Sequence, residues 1–237
     1  MERMEEIILE CLKIEKSFGF KKVLNGVDLK FFSKKITLLL GENGAGKTTL
    51  CKILSLLSQQ NNGKLFYKGK SVVERTKNEY KKVLGYLSHQ PFVYNHLTAI
   101  ENLMFFAKLY GISNKKEKVE YLLKQFKLYD YKNEIAGKYS RGLQQRLSLC
   151  KVFLNDPSIL ILDEPFTGLD QKATMELSKI LFDYKREERI ILIVTHEIDE
   201  TVEIADNFII LKDGKILVDS VFKSKEQLKN VYYDSFF

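Results

Sequence analysis

The sequence predicts an α/β fold, a buried sheet with helices packed on it, and three observations predict it. Residues 36–40, 158–162 and 190–194 are short, almost wholly apolar runs of strand type, as expected of strands buried on both faces. Helical spacing follows the first of them, with Leu50, Ile53, Leu54 and Leu57 on one face of a helix read over 47–57. Each strand also ends in residues that can do chemistry: a glycine-rich loop after the first, Asp163-Glu164 after the second, His196 after the third. Adjacent strand ends in an open α/β sheet form a crevice.

The loop runs Gly41, Glu42, Asn43, Gly44, Ala45, Gly46, Lys47, Thr48 and has the form G-x-x-x-x-G-K-[ST]. Its glycines let the backbone take positive φ and come close to a ligand. Its bared N–H groups, with the dipole of the helix that follows, face a phosphate chain. Lys47 would reach the outer phosphates, and the Thr48 hydroxyl would hold Mg²⁺. A glycine-rich turn before an ordinary core helix is the plain alternative, but the flanking strand and helix sit where the phosphate loop needs them.

A chain of 237 residues, 45% hydrophobic and 29% charged, suits one large α/β unit with a sizeable core. Glu2, Glu5, Glu6 and Glu10 near the start leave no apolar leader segment, so none is expected. No apolar run approaches the roughly 20 residues of a membrane span. Cys11, Cys51 and Cys150 are widely spaced in apolar contexts and read as reduced core residues of a cytosolic protein. The net charge of +7 is spread along the whole chain and reads as a solvated surface. No internal repeat or low-complexity segment is present.

In chain order, residues 7–32 alternate like strands, and Asn25-Gly26 marks a tight turn between two of the runs. Phe18 could stack on an adenine face, although a lone phenylalanine is more often a core residue. Residues 61–73 read as two short strands around a turn, and residues 83–87 as a buried strand ending before Gln90-Pro91, where proline stops any regular element. The pattern then turns helical. Thr98 and Glu101 form a capping box for a helix reaching Gly111. A second helix spans 115–127, and a third follows Ser140 with Leu143, Leu147, Cys150 and Leu154 as its apolar stripe. Residues 166–170 read as a loop, 175–185 as a helix, and 208–218 as a hairpin around Asp213-Gly214. The tail from 222 is charged, then aromatic, and suggests no role.

Asp163 and Glu164 supply the second half of a nucleotide site. Asp163 can order Mg²⁺ directly or through water, and Glu164 can polarise an attacking water. An isolated acidic pair at a strand end is usually only solvated, but here a phosphate loop precedes it in the same chain. A lone histidine is likewise more often structural, yet His196 points at the same crevice. No second histidine follows His196-Glu197 at zinc-protease spacing.

With Ser140, Arg141, Gly142, Leu143 and Arg146 added to the phosphate loop, Gln90, Asp163, Glu164, Asp170 and His196, nearly the whole chain resembles the nucleotide-binding subunit of ABC transporters. The resemblance implies a P-loop NTPase (RecA-like) core with an N-terminal antiparallel β subdomain. It implies one domain over 1–237, with a helical subdomain inserted at about 91–155. The implied cofactors are ATP and Mg²⁺, held by Gly41 to Thr49, with Thr48, Gln90 and Asp163 on the metal. Glu164 would be the catalytic base, with Lys47 and His196 on the γ-phosphate and Phe18 under the adenine. Ser140, Gly142 and Asp170 would close over the ATP of a second subunit in a head-to-tail dimer. That partner is a second copy or a paralogous ATPase subunit. Physically, Ser140 can cap the helix that follows, and Gly142 leaves its amides open to an anion. Arg141 stands where glycine is common, and Leu143, where glutamine is common, removes a polar contact.

The resemblance further implies an ATPase on the cytoplasmic face of the membrane, driving a separate integral membrane permease, with no nucleic acid partner expected. Residues 84–91, 97–103, 140–147 and 166–170 are similar to the haem-exporter ATPases of c-type cytochrome maturation. Other exporters, for drugs, lipids or polysaccharides, share much of these stretches. A soluble ATPase acting on nucleic acid or ribosomes is the competing class, and a non-catalytic nucleotide binder is disfavoured by Lys47, Glu164 and His196 together.

Overall fold

A computed structural model describes residues 6–90, 92–185, 188–196, 201–222 and 224–236. Pro91, read above as the end of an element, and Glu197 lie outside the described residues. The strands are β1 (Ile7–Phe18), β2 (Lys21–Phe32), β3 (Lys35–Leu40), β4 (Asn62–Tyr67), β5 (Lys70–Ser71), β6 (Leu84–Leu87), β7 (Ile159–Asp163), β8 (Ile190–Val194), β9 (Asn207–Lys212) and β10 (Lys215–Val221). The helices are α1 (Lys47–Leu54), α2 (Lys77–Lys82), α3 (Ala99–Leu109), α4 (Lys115–Gln125), α5 (Arg141–Phe153), α6 (Gln171–Tyr184) and α7 (Lys225–Phe236).

Two sheets form. A four-stranded antiparallel sheet has the order β2-β1-β4-β5, and a six-stranded sheet has the order β10-β9-β3-β8-β7-β6. The second is parallel from β9 to β6, with β10 added antiparallel at one edge. Side chains alternate across its faces. Leu38, Leu160, Leu162, Ile191 and Ile193 join the core under α3 to α6, while Leu39, Ile159, Ile161, Leu192 and Val194 pack with α1 and the antiparallel sheet. This two-sided burial explains why the strands read as continuous apolar runs. Helix α1 is held between the two sheets. Helices α3, α4 and α5 pack on one another and reach the sheet through α5 against β6.

Several expectations need correction. Asn25-Gly26 is no turn: both lie inside β2, where the pairing steps from Val27 opposite Ile14 to Asn25 opposite Glu15. Gly26, at φ 72°, is the extra residue of a bulge. The reversal falls at Gly19 instead, between Phe18 and Lys21. Helix α1 ends at Leu54, three residues early, because Leu56 adopts positive φ. Helix α6 begins at Gln171 rather than 175, since the Asp170 side chain accepts from Ala173 N at 2.7 Å and starts it. The tail folds into α7, whose Leu228 is fully buried. The Thr98 and Glu101 capping box forms as read, the three cysteines are buried and free, and no described helix is long and apolar enough to cross a membrane.

Candidate functional site

The loop after β3 is held by contacts that only glycine allows. A Cβ on Gly41, at φ 150°, would lie 2.3 Å from the Leu211 carbonyl oxygen. One on Gly46, at φ 110°, would lie 2.8 Å from Leu24 Cδ2 and 2.9 Å from the Val23 oxygen. Gly46 caps α1 without any side-chain acceptor, so the first amides of the helix stay open to a ligand. Lys47 folds back over the loop, and its Nζ donates to the carbonyls of Gly41 at 2.6 Å and Glu42 at 3.0 Å. Burial lowers the Lys47 pKa, opposed by the charges of Glu164 and Asp163. A phosphate chain would offer this amine stronger, charged acceptors than the two carbonyls.

Asp163 ends β7 and is 2% exposed. Burial raises its pKa, with the Thr48 hydrogen bond and the charges of His89 and Lys47 pulling the other way. Its Oδ2 is buried without a hydrogen-bond partner. An orphaned carboxylate oxygen beside a threonine hydroxyl fits a hard cation such as Mg²⁺, which typically takes one or two protein oxygens and completes its shell with phosphates and water. Among the described residues no cluster of three or more His, Cys, Asp or Glu offers an all-protein metal cage.

Glu164 follows in a left-handed conformation, φ 55°, which is strained for a non-glycine residue. Its N–H donates to the Val194 carbonyl at 2.9 Å. Gln145 of α5 donates to the carbonyls of Glu164 at 3.2 Å and Pro165 at 2.9 Å. These bonds pin the backbone so that the carboxylate meets His196, with Nδ1 2.9 Å from Glu164 Oε1. When the glutamate is ionised, Nδ1–H is the donor, which leaves Nε2 for another partner.

A cleft of about 460 Å³ joins these groups. Asn43, Gly44, Gly46, Lys47, Thr48 and Thr49 form its floor, Asp163, Glu164 and His196 one wall, and Phe18 its rim. Phe18 is 57% exposed rather than a core residue, with Lys16 Nζ 5.0 Å from its ring centroid. Gly41, Glu42 and Ala45 shape the loop from behind and do not line the cleft. Gln90 is exposed and does not line it either; its neighbour His89 does. Sequence reasoning missed His89; its place just beyond the end of an apolar strand was a usable signal, but the pairing of that strand with β7 was not. It also missed Gln145, whose role depends on a tertiary contact.

Ser140, Gly142 and Asp170 come together elsewhere. They line a separate polar cleft of about 730 Å³ with Arg141, Lys127 and Lys172. Ser140 Oγ accepts from Leu143 N at 3.3 Å and caps α5. A Cβ on Gly142 would lie 2.9 Å from the Gly168 carbonyl oxygen, so that glycine also permits close packing of α5 on the loop before α6.

The family model described as ABC transporter matches residues 24–167. The bacitracin transport ATP-binding protein BcrA of Enterococcus faecalis is 34% identical over 232 residues, 98% of this chain and 74% of the relative. The lantibiotic transport ATP-binding protein SrtF of Streptococcus pyogenes is 30% identical over 225 residues, 95% of this chain and 96% of the relative. Among solved structures, an ATP-binding subunit of an ABC transporter superposes with a TM-score of 0.86 at 26% identity, covering 96% of this chain and 98% of that one. A dimeric ATP-binding cassette in a post-hydrolysis state, bound to ADP and Pi, shares the fold with a TM-score of 0.83 at 22% identity, covering 92% and 100%.

Proposed function

This chain belongs to the ABC transporter family as an ATP-binding subunit that hydrolyses ATP, and from that premise we propose that it drives export through a separate membrane permease as half of a head-to-tail dimer. The observation that carries the dimer is the separation of the two clefts: Ser140, Gly142 and Asp170 line one, the phosphate loop the other. A second subunit would bring its Ser140, Gly142 and Asp170 over this subunit's ATP. ATP binding then closes the dimer, and hydrolysis with product release reopens it.

Within the site, the loop amides from Gly44 to Thr49 hold the phosphates, and Lys47 exchanges its two carbonyl partners for β- and γ-phosphate oxygens. Glu164 takes a proton from the attacking water. His196 keeps the Glu164 carboxylate aimed through Nδ1 and faces the γ-phosphate with Nε2. Thr48 and Asp163 would hold Mg²⁺, which would supply neutralisation of the phosphate charge; Gln90 would join them only after turning inward from its exposed place. Phe18 stacks under the adenine. The assembly sits on the cytoplasmic face of the membrane, with the chain peripheral to it.

For the cargo, the bacitracin and lantibiotic transport relatives favour export of a compound of that kind. The haem reading rests on the motif stretches quoted above and on nothing in the site. Purification from membranes under mild detergent, with identification of the companion proteins, tests this. An integral membrane permease is the expected companion, and small membrane proteins of cytochrome maturation would move the cargo to haem. Recovery of ribosomes or nucleic acid alone would overturn the transporter reading.

A further inference from the structure

We propose that Lys212 and helix α7 are positioning elements for ATP binding, bracing the β9–β10 hairpin against which the phosphate loop rests. The hairpin touches the loop at two points. The Leu211 carbonyl abuts Gly41 so closely that no side chain fits between them, a built Cβ lying 2.3 Å from the oxygen. Beyond the turn, Gly214 N donates to the Ala45 carbonyl at 3.2 Å. Lys212, the last residue of β9, sits between these contacts in sequence and reaches α7. Its Nζ donates to the Ser235 carbonyl at 2.8 Å and lies 5.3 Å from the Phe236 ring centroid.

That acceptor has a physical logic. Ser235 is in the last turn of α7, where carbonyls lack intrahelical partners and the helix dipole favours a cation. The ring of Phe236 adds a second attraction for the ammonium group. The helix is itself anchored, with Leu228 fully buried and Val231, Tyr232 and Phe236 packed against the main core. The helix also lies near the loop's own carboxylate: burial chiefly, and the charge of Glu42 next, raise the Tyr232 pKa. Close-packed contacts of this kind transmit displacement rather than absorb it. A hairpin released from α7 lets Gly41 and Ala45 drift, and the amides that must converge on the phosphates lose their alignment.

The inference rests on the phosphate loop being the ATP site, and the test keeps the two apart. ATP affinity is measured with a fluorescent ATP analogue, alongside kcat at saturating ATP. Lys212→Met keeps the aliphatic stem and removes the cation; Phe236→Ala removes the ring and leaves the helix. Each should weaken ATP binding about fivefold, the low end of coupling between linked sites, with kcat within about twofold. Lys212→Arg should restore affinity. Because binding coupling is reciprocal, ATP should slow hydrogen exchange in residues 228–236 of the unaltered protein. Unchanged affinity in both variants, with or without a lower melting temperature, overturns the brace, as does helix exchange indifferent to ATP. Failure of the unaltered protein to bind ATP would instead strike the ATP-site assignment.

Discussion

Asp163 holds a buried carboxylate with one oxygen unpartnered, and a charge removed from water without full compensation weakens the fold. Its pKa is raised by burial, so the folded state holds its proton more tightly than the unfolded chain does. The sign follows: stability falls as pH rises from the ordinary carboxylate range through the raised value, and the cost is fully present above it. Asp163→Asn should therefore raise the metal-free melting temperature at neutral pH by about 2–4 °C. ATP turnover should fall by at least about 100-fold, because the metal loses a charged ligand. A melting temperature that drops instead would show that the carboxylate stabilises the metal-free fold. The identities at this scale were legible because the chemistry demands them: a glycine loop ending in lysine and threonine, and acids at a strand end. Exposure was not legible. Phe18 reached the adenine position only through the family resemblance, because a lone phenylalanine is usually apolar filling, and its place on the cleft rim depends on where β1 turns at Gly19. His89 was passed over for Gln90 because side-chain direction beyond a strand end is set by tertiary packing.

At the scale of elements, caps and burial decide boundaries. Asp170 starts α6 by accepting from Ala173 N, so Asp170→Ala should cost about 1 kcal/mol of stability, seen as a melting temperature lower by about 2–4 °C. ATP affinity of the isolated subunit should hold, since Asp170 lines the other cleft. An affinity loss in the isolated subunit would place Asp170 in the wrong site. Lys151 on α5 offers a pH test. Burial pushes its amine down to about 8, although it donates to the Phe92 carbonyl at 2.8 Å and lies near the Phe92 and Phe106 rings. A lowered folded pKa means the protonated amine weakens the fold below about pH 8, and this cost fades as pH rises toward the unfolded value near 10.4. Lys151→Met should thus melt higher than the parent at pH 7, and the gap should close by about pH 10. A gap independent of pH would mean that the difference is packing, not charge. The strands were readable from apolar runs, but Asn25-Gly26 misled. Its turn chemistry is real, since Gly26 takes positive φ, and a bulge uses the same geometry without reversing the chain.

At the scale of the whole molecule, the sheet brings β3, β7 and β8 side by side, and their ends deliver the loop, the carboxylates and His196 to one cleft. Sequence pattern gave the strands but not their order, which depends on pairings between residues more than a hundred positions apart, such as Leu38 with Ile193. The same packing places Ser140, Gly142 and Asp170 on a separate cleft, the arrangement that the proposed head-to-tail dimer would use. The direct test is Glu164→Gln, which keeps the side chain's shape and removes the base. Light scattering with ATP and Mg²⁺, together with phosphate release, reads both halves of the account. The prediction is retained ATP binding, turnover reduced at least about 100-fold, and a dimer that persists with ATP and dissociates on its removal. Undiminished turnover, or a protein that stays monomeric with ATP bound, would contradict the account.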